Sequence, residues 1–179
     1  MHLGTLAAAV VSYLHAKPHG GEWLVRIEDV DPPREVAGAA DAILRTLDAF
    51  SLHWDRDVLY QSTRLDLYRA TAERLLAADE AFRCRCSRQQ VRLDSDESGR
   101  YPGTCRALRL ADPDTSIRLR VQPGGLRFTD RLQGEIERDI EISDGDFVIF
   151  RRDRLPAYHL AVVLDDAEQG ITAVVRGFD

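Results

Sequence analysis

The chain has 179 residues, 44% of them hydrophobic, and a formal net charge of −6. That length holds one domain, or a core domain with a small insert, and no apolar run reaches the roughly 18 to 20 residues of a membrane span. The acidic balance excludes a protein that coats nucleic acid non-specifically through many phosphate contacts, although a local basic patch remains compatible with a nucleic-acid substrate.

Leu3, Leu6, Ala7, Val10, Val11 and Leu14 recur at helical spacing, and Lys17-Pro18-His19-Gly20-Gly21 stops that helix. The stretch from Leu6 to Leu14 lacks a basic flank and a small-residue cleavage site, so it does not read as an export signal. Trp23 to Ile27 reads as a short buried strand followed at once by Glu28 and Asp29. Ligands of open α/β sheets bind at the carboxyl ends of strands, which makes both carboxylates candidates for a site. Asp31-Pro32-Pro33-Arg34-Glu35 reads as a helix start, with Asp31 as cap and Val36, Ala40, Ile43, Leu47 and Phe50 along one face. A further helix follows Ser62-Thr63, with Asp66 placed for a capping box and Leu65, Tyr68, Ala72, Leu75 and Leu76 inward.

The character changes after Phe82. Residues 83 to 106 are polar and Arg-rich, hold all three cysteines, and offer little for a conventional apolar core. From Ser116 the chain alternates, with Ile117, Leu119 and Val121 facing one way and Arg118 and Arg120 between them, which predicts a strand. Gln122-Pro123-Gly124-Gly125 turns it. Residues 147 to 150 and 161 to 164 are further apolar runs, and residues 171 to 175 predict a last strand before Arg176-Gly177. The arginines at 83, 85, 88 and 92, and at 151, 152 and 154, read most simply as solvated faces.

Cys84-Arg85-Cys86 and Tyr101-Pro102-Gly103-Thr104-Cys105 bring three thiols into one polar stretch. An odd cysteine count without an export signal argues for reduced thiols, a cytoplasmic location, and a tetrahedral zinc site. Zinc takes four ligands, and the residues themselves leave the fourth open between a carboxylate, a water, a distant histidine and Tyr101. A site closed by four ligands is structural.

Several motifs, in order along the whole chain, resemble the glutamyl branch of the class I aminoacyl-tRNA synthetases. His2-Leu3-Gly4-Thr5 is similar to the first class I signature, with Thr5 in place of its second histidine. Residues 23 to 35, Leu59-Tyr60-Gln61-Ser62, Arg64-Leu65-Asp66, the Cys-x-Cys and Tyr-x3-Cys pair, Asp130 to Gly134, Gly145 to Val148, and residues 157 to 177 match the same branch. Asp31 to Glu35 and the Tyr-Pro-Gly-Thr-Cys segment are closest to its glutamyl-Q group.

The resemblance implies an α/β, Rossmann-like nucleotide-binding fold with a small zinc-containing insert. It divides the chain into a first catalytic part at 1–80, the insert at 81–115, and connective strands with a return to the catalytic domain at 116–179. It implies ATP-dependent activation of L-glutamate, with Mg2+, and transfer to the queuosine base in the anticodon region of tRNA(Asp), by a monomer without membrane attachment. His2 and Gly4 take catalytic positions by the ATP phosphates, where a helix N-terminus favours anions. Glu28, Tyr158 and Arg176 correspond to glutamate-binding positions, and Cys84, Cys86, Tyr101 and Cys105 to the ligands of one structural Zn2+. The family's strand and Pro-x-Pro-x-Gly turn before the His-x-Gly helix, and its mobile lysine loop, have no counterpart in the 179 residues, so the fold is expected to be incomplete at both ends. Two rival expectations are part of a glutamyl-tRNA synthetase charging tRNA(Glu), and a zinc-stabilised glutamate-binding body that forms no adenylate.

Overall fold

The structure is a computed structural model that describes residues 2–31, 36–97 and 99–177. The chain divides into two compact units, one of residues 1–65 with 163–179 and the other of residues 66–162.

In the first unit, helix α1 (Leu3–Ala16) starts at His2, whose Nδ1 accepts the Gly4 N–H at 3.1 Å. It runs into a 3-10 turn, Lys17–His19, that ends at Gly20 with φ of 69°. That left-handed conformation is what glycine tolerates without a steric cost. Leu6, Val10 and Tyr13 of α1 pack on the buried Trp23, Val25, Leu47 and Leu52. The Trp23 indole donates to Ser12 Oγ at 2.9 Å, and its ring meets Tyr13 edge-on at 5.4 Å.

The strand expected at 23–27 is shorter than its apolar run. Only β1 (Arg26–Ile27) pairs regularly, parallel to β2 (Leu59–Tyr60). The Trp23 carbonyl is satisfied by a loop instead, accepting the Asp55 N–H at 2.8 Å, and the Val25 carbonyl accepts the Leu59 N–H at the start of β2 at 3.2 Å. Among the described residues β1–β2 is the one parallel pairing.

Helix α2 (Ala39–Ala49) begins later than its predicted cap. Gly38, with φ of 76°, stands at its N-cap, so Asp31 does not cap α2, and Pro32 to Glu35 lie outside the described residues. Ala40, Ile43 and Leu47 do lie on the inner side, but Val36 precedes the helix and Phe50 follows it, both exposed. A 3-10 turn, Gln61–Arg64, leads into α3 (Leu65–Ala77). The expected capping box is not formed with Asp66, whose side chain is solvent-exposed and 3.7 Å from Arg69. Ser62 turns to Asp29 instead, its N–H and hydroxyl donating to that carboxylate at 2.8 and 2.5 Å.

The second unit is built on an antiparallel sheet in the order β3 (Ala81–Cys84), β4 (Ser116–Leu119), β7 (Val148–Phe150). Cys84 lies opposite Ser116, and Phe82 opposite Arg118. Between β3 and β4 run α4 (Arg88–Asp94), capped by Ser87 Oγ, and the Tyr101–Cys105 segment. A hairpin of β5 (Gly125–Asp130) and β6 (Gly134–Asp139) turns where Asp130 Oδ1 accepts the N–H groups of Leu132 and Gln133, both at 2.8 Å. The short helix α5 (Ile140–Ser143) precedes β7, and α6 (Tyr158–Gln169) continues the chain into the first unit.

The strand expected from Ser116 is formed, and within it Arg118 is buried beside Ile117. One further expectation is corrected. Residues 171–177 form no strand: the segment has no regular structure, and strand geometry needs a partner to satisfy its backbone. Among the described residues no helix is long and apolar enough to cross a membrane.

Candidate functional site

The polar stretch that offered no conventional core makes one around its thiols. Phe82, Cys84, Tyr101 and Cys105 are buried together, with Cys86, Val91 and Leu110 packed against them. The ligand atoms of Cys84, Cys86 and Cys105 all lie within 4.8 Å of one another, a group that could hold a metal ion. A tetrahedral ion with metal–sulfur bonds of about 2.3 Å places its sulfurs roughly 3.8 Å apart. Here Cys86 and Cys105 Sγ are 3.5 Å apart, so the thiols fit such an ion. The Tyr101 hydroxyl faces the same centre, 3.4 Å from Cys84 Sγ and 4.0 Å from Cys86 Sγ, and it accepts the Cys105 N–H at 2.7 Å.

Local geometry explains the convergence. β3 delivers Cys84 at its end, Cys86 follows just beyond the strand, and Gly103, with φ of 81°, lets the returning loop turn so that Cys105 comes back beside Tyr101. Burial, with the Cys105 hydrogen bond next, pushes the Cys86 thiol up to about 11. Burial likewise holds the Tyr101 phenol well above its usual range. Burial works in the same sense on Cys105, but hydrogen bonds from Tyr101, the Arg85 backbone, Cys86 and Cys84 outweigh it and hold that thiol below the ordinary value. The protons are thus unevenly held, and a divalent ion would have to displace those on Cys86 and the phenol.

The carboxylates after β1 are also built in. Glu28 is exposed, its Oε1 3.6 Å from Arg26 Nε, while Arg26 Nη1 reaches Asp166 at 2.8 Å and Gln169 at 2.9 Å. Burial raises the Glu28 carboxyl above its usual value; Arg26 opposes this, and the charges of Asp166 and Asp165 add to it. Asp165 is fully buried and accepts from Gln61 Nε2 at 2.7 Å and Arg64 Nε at 2.9 Å, with Glu168 closing on the outer nitrogens of Arg64. His2 is exposed at the start of α1. The Gly4 N–H is taken by the His2 ring, and a Cβ on Gly4 would meet that Nδ1 at 3.3 Å. Tyr158 is largely exposed at the start of α6, its ring 5.7 Å from that of His159, and Arg176 is exposed on the segment 171–177. The metal-ligand candidates are therefore brought together. Of the expected glutamate-binding residues, Glu28 lies against Arg26.

Residues 1–179 match the family of class I tRNA synthetases (E and Q), catalytic domain. The chain belongs to this family. Glutamyl-Q tRNA(Asp) synthetases from Shewanella oneidensis and Pseudomonas aeruginosa are 51% and 53% identical to it over 179 residues. All of this chain aligns with 59% and 60% of theirs, so it spans about three-fifths of the length of these relatives. A glutamate tRNA ligase from Elizabethkingia meningosepticum, solved in complex with its amino acid, superposes with a TM-score of 0.81 at 26% identity, over 96% of this chain and 40% of that one. The chain thus has the α/β fold of a class I synthetase catalytic domain.

Within this synthetase fold, the roles of Gln61, Arg64 and Asp165 escaped a reading of the sequence, because a buried Asp–Arg–Gln group joins positions about a hundred residues apart. Arg106, Arg118 and Asp146 escaped for the same reason: Arg106 Nη1 and the Val121 N–H both donate to Asp146 Oδ1, at 2.5 and 3.0 Å. The one available signal was the presence of charged residues inside otherwise apolar runs.

Proposed function

We propose that this chain carries the glutamate- and metal-binding part of an enzyme that activates L-glutamate with ATP and transfers it to the queuosine base of tRNA(Asp). The observation that carries the reading is the match of all 179 residues to about three-fifths of glutamyl-Q tRNA(Asp) synthetases at 51% to 53% identity. The glutamate carboxylate attacks the α-phosphorus of ATP, a carbon–oxygen–phosphorus bridge forms, and pyrophosphate leaves. The acceptor then takes the acyl group and AMP leaves. Little covalent work falls to the protein; it positions the reactants and stabilises charge.

On this reading Arg176 offers a planar fork to the substrate carboxylate, Glu28 holds its ammonium, and Tyr158 adds a hydroxyl contact. A Glu28 whose carboxyl is raised by its surroundings suits a site that a cation completes. His2 and Gly4 stand at the α1 N-terminus, where the helix dipole favours the phosphates of an Mg2+-bound ATP on a Rossmann-like domain. Cys84, Cys86, Tyr101 and Cys105 would hold one structural zinc ion, which ties the loop around Tyr101 to β3. Three reduced thiols suit a cytoplasmic enzyme, and we assign it as a monomer.

The test is ATP–pyrophosphate exchange with glutamate, followed by transfer of labelled glutamate to queuosine-containing tRNA(Asp), tRNA(Asp) lacking that base, and tRNA(Glu). Label on queuosine-containing tRNA(Asp) alone is expected. Label on tRNA(Glu) would make the chain part of an ordinary glutamyl-tRNA synthetase. Glutamate binding in a calorimeter without exchange would make it a binding body.

A further inference from the structure

Arg118 has no evident reason to be a cation if it is only part of a sheet. Its side chain is buried, with 9% relative exposure, in the middle of β4. Its guanidinium carbon lies 3.8 Å from the centre of the Tyr101 ring. Nη1 donates to the Asp146 backbone carbonyl at 2.7 Å, and Nε is buried without any hydrogen-bond partner. The Asp146 carboxylate is already engaged by Arg106 and the Val121 N–H. Among the described residues no carboxylate pairs with Arg118. A buried cation without an anion is costly, since desolvation is not repaid.

The anion it lacks is the loaded metal centre. Three thiolates and a phenolate around a divalent ion leave a formal excess of two negative charges, and that charge would form at the hydroxyl end of the very ring Arg118 covers. The register fits as well: Arg118 lies opposite Phe82, two residues from Cys84, so β3 and β4 hold the cation and the first thiol in a fixed relation. The guanidinium lying over the ring also restrains the Tyr101 ring, and so where its oxygen points. The Arg106–Asp146 pair, next to Cys105, anchors the other end of the loop.

We infer that Arg118 is a positioning residue of the metal centre, orienting Tyr101 and offsetting the negative charge that the centre acquires with a divalent cation. This rests on the metal reading above, not on the transfer reaction. Partners in the layer outside the ligands commonly contribute 10- to 100-fold in metal affinity.

The experiment is zinc affinity by competition with a chromophoric chelator, with the Co2+ spectrum as a report on ligand geometry. Wild type is compared with Arg118→Met, Arg118→Lys, Tyr101→Phe and the Arg118→Met/Tyr101→Phe pair. Arg118→Met is expected to weaken zinc roughly 10- to 100-fold, and Arg118→Lys, which keeps the charge but loses the guanidinium over the ring, by less. In the Tyr101→Phe background the Arg118→Met effect should shrink to a few-fold, because the ligand it orients is gone. The metal-free forms are compared by circular dichroism and urea unfolding. Equal zinc affinity in folded Arg118→Met or Arg118→Lys and wild type overturns the inference. So does an Arg118→Met effect that is the same with and without the Tyr101 hydroxyl, which would mark a merely structural role. Wild type that takes up no zinc overturns the metal reading itself, while exchange and transfer activity remain an independent measure of the proposed function.

Discussion

Replacing Asp165 with alanine probes the most deeply buried charge of the first unit. Its carboxylate is fully excluded from solvent and receives Gln61 Nε2 at 2.7 Å and Arg64 Nε at 2.9 Å. Hydrogen bonds to a charged group contribute about 1.5–3 kcal/mol each. The Gln61 amide would be left buried without that acceptor, at the upper end of the range. Arg64 would keep Glu168, so its share belongs at the lower end. Together these give a loss of about 4–5 kcal/mol, at the upper end of the roughly 3–5 kcal/mol measured when one member of a buried pair is removed. The chain has two tryptophans, Trp23 and Trp54, and both lie in the same unit as Asp165, so their fluorescence during urea unfolding reports on that unit. With a slope of about 2 kcal/mol per molar urea, the midpoint should fall by roughly 2–2.5 M. Asp165→Asn, which keeps the shape and one acceptor, should fall about half as far. A decrease below roughly 0.5 M for the alanine variant would mean that the group contributes no more than an exposed ion pair, and the reasoning would fail.

Zinc chelation or Cys84→Ser should remove the metal and raise amide hydrogen exchange across residues 81–119, while Trp23 and Trp54 fluorescence stays unchanged; unaltered exchange would contradict a structural metal. Because the Cys86 thiol is held at about 11, metal uptake should release protons and weaken as pH is lowered, which isothermal titration in buffers of different ionisation enthalpy measures. Glu28→Gln should raise thermal stability at neutral pH. The folded protein holds this carboxyl above its usual value through burial, so its stabilising contribution is present below the unfolded value and lost as pH rises through the folded one. The advantage of the variant should vanish below about pH 4, and a lower melting temperature at pH 7 would sink the argument. Lys17→Met should have the opposite pH signature. The Asp55 carboxyl is depressed by its hydrogen bond to Lys17 and then by the Trp23 N–H, so its contribution is present above about pH 4 and lost as pH falls through the folded value. Wild type and variant should therefore differ in melting temperature at pH 7 and converge in acid.

How much of this protein can be read from its residues depends on the range over which each feature is decided. The α1 helix was readable from period and stop signal alone, because helix periodicity, the His2 cap and the Gly20 ending all lie within one short segment. The thiol cluster was readable as a set of residue types, since only a metal gives three cysteines in a polar stretch a common purpose. Both judgments rest on chemistry local to the chain. The strand expected at 171–175 and the full length of the strand at 23–27 failed because a strand is not a local object: its backbone must find a partner, and the partner of Trp23 is a loop. The capping roles expected of Asp31 and Asp66 failed because a competing geometry won, Gly38 in one case and the Ser62–Asp29 hydrogen bonds in the other. By itself, then, the sequence determined which residues could bind a metal, where α1 lies, and that a family signature runs through the chain. Tertiary structure alone decided that Arg118 is buried over Tyr101, that Asp165 serves Gln61 and Arg64, and that Glu28 faces Arg26. The reason is physical: the cost of burying a charge depends on partners that residues far apart in the chain supply only once it has folded.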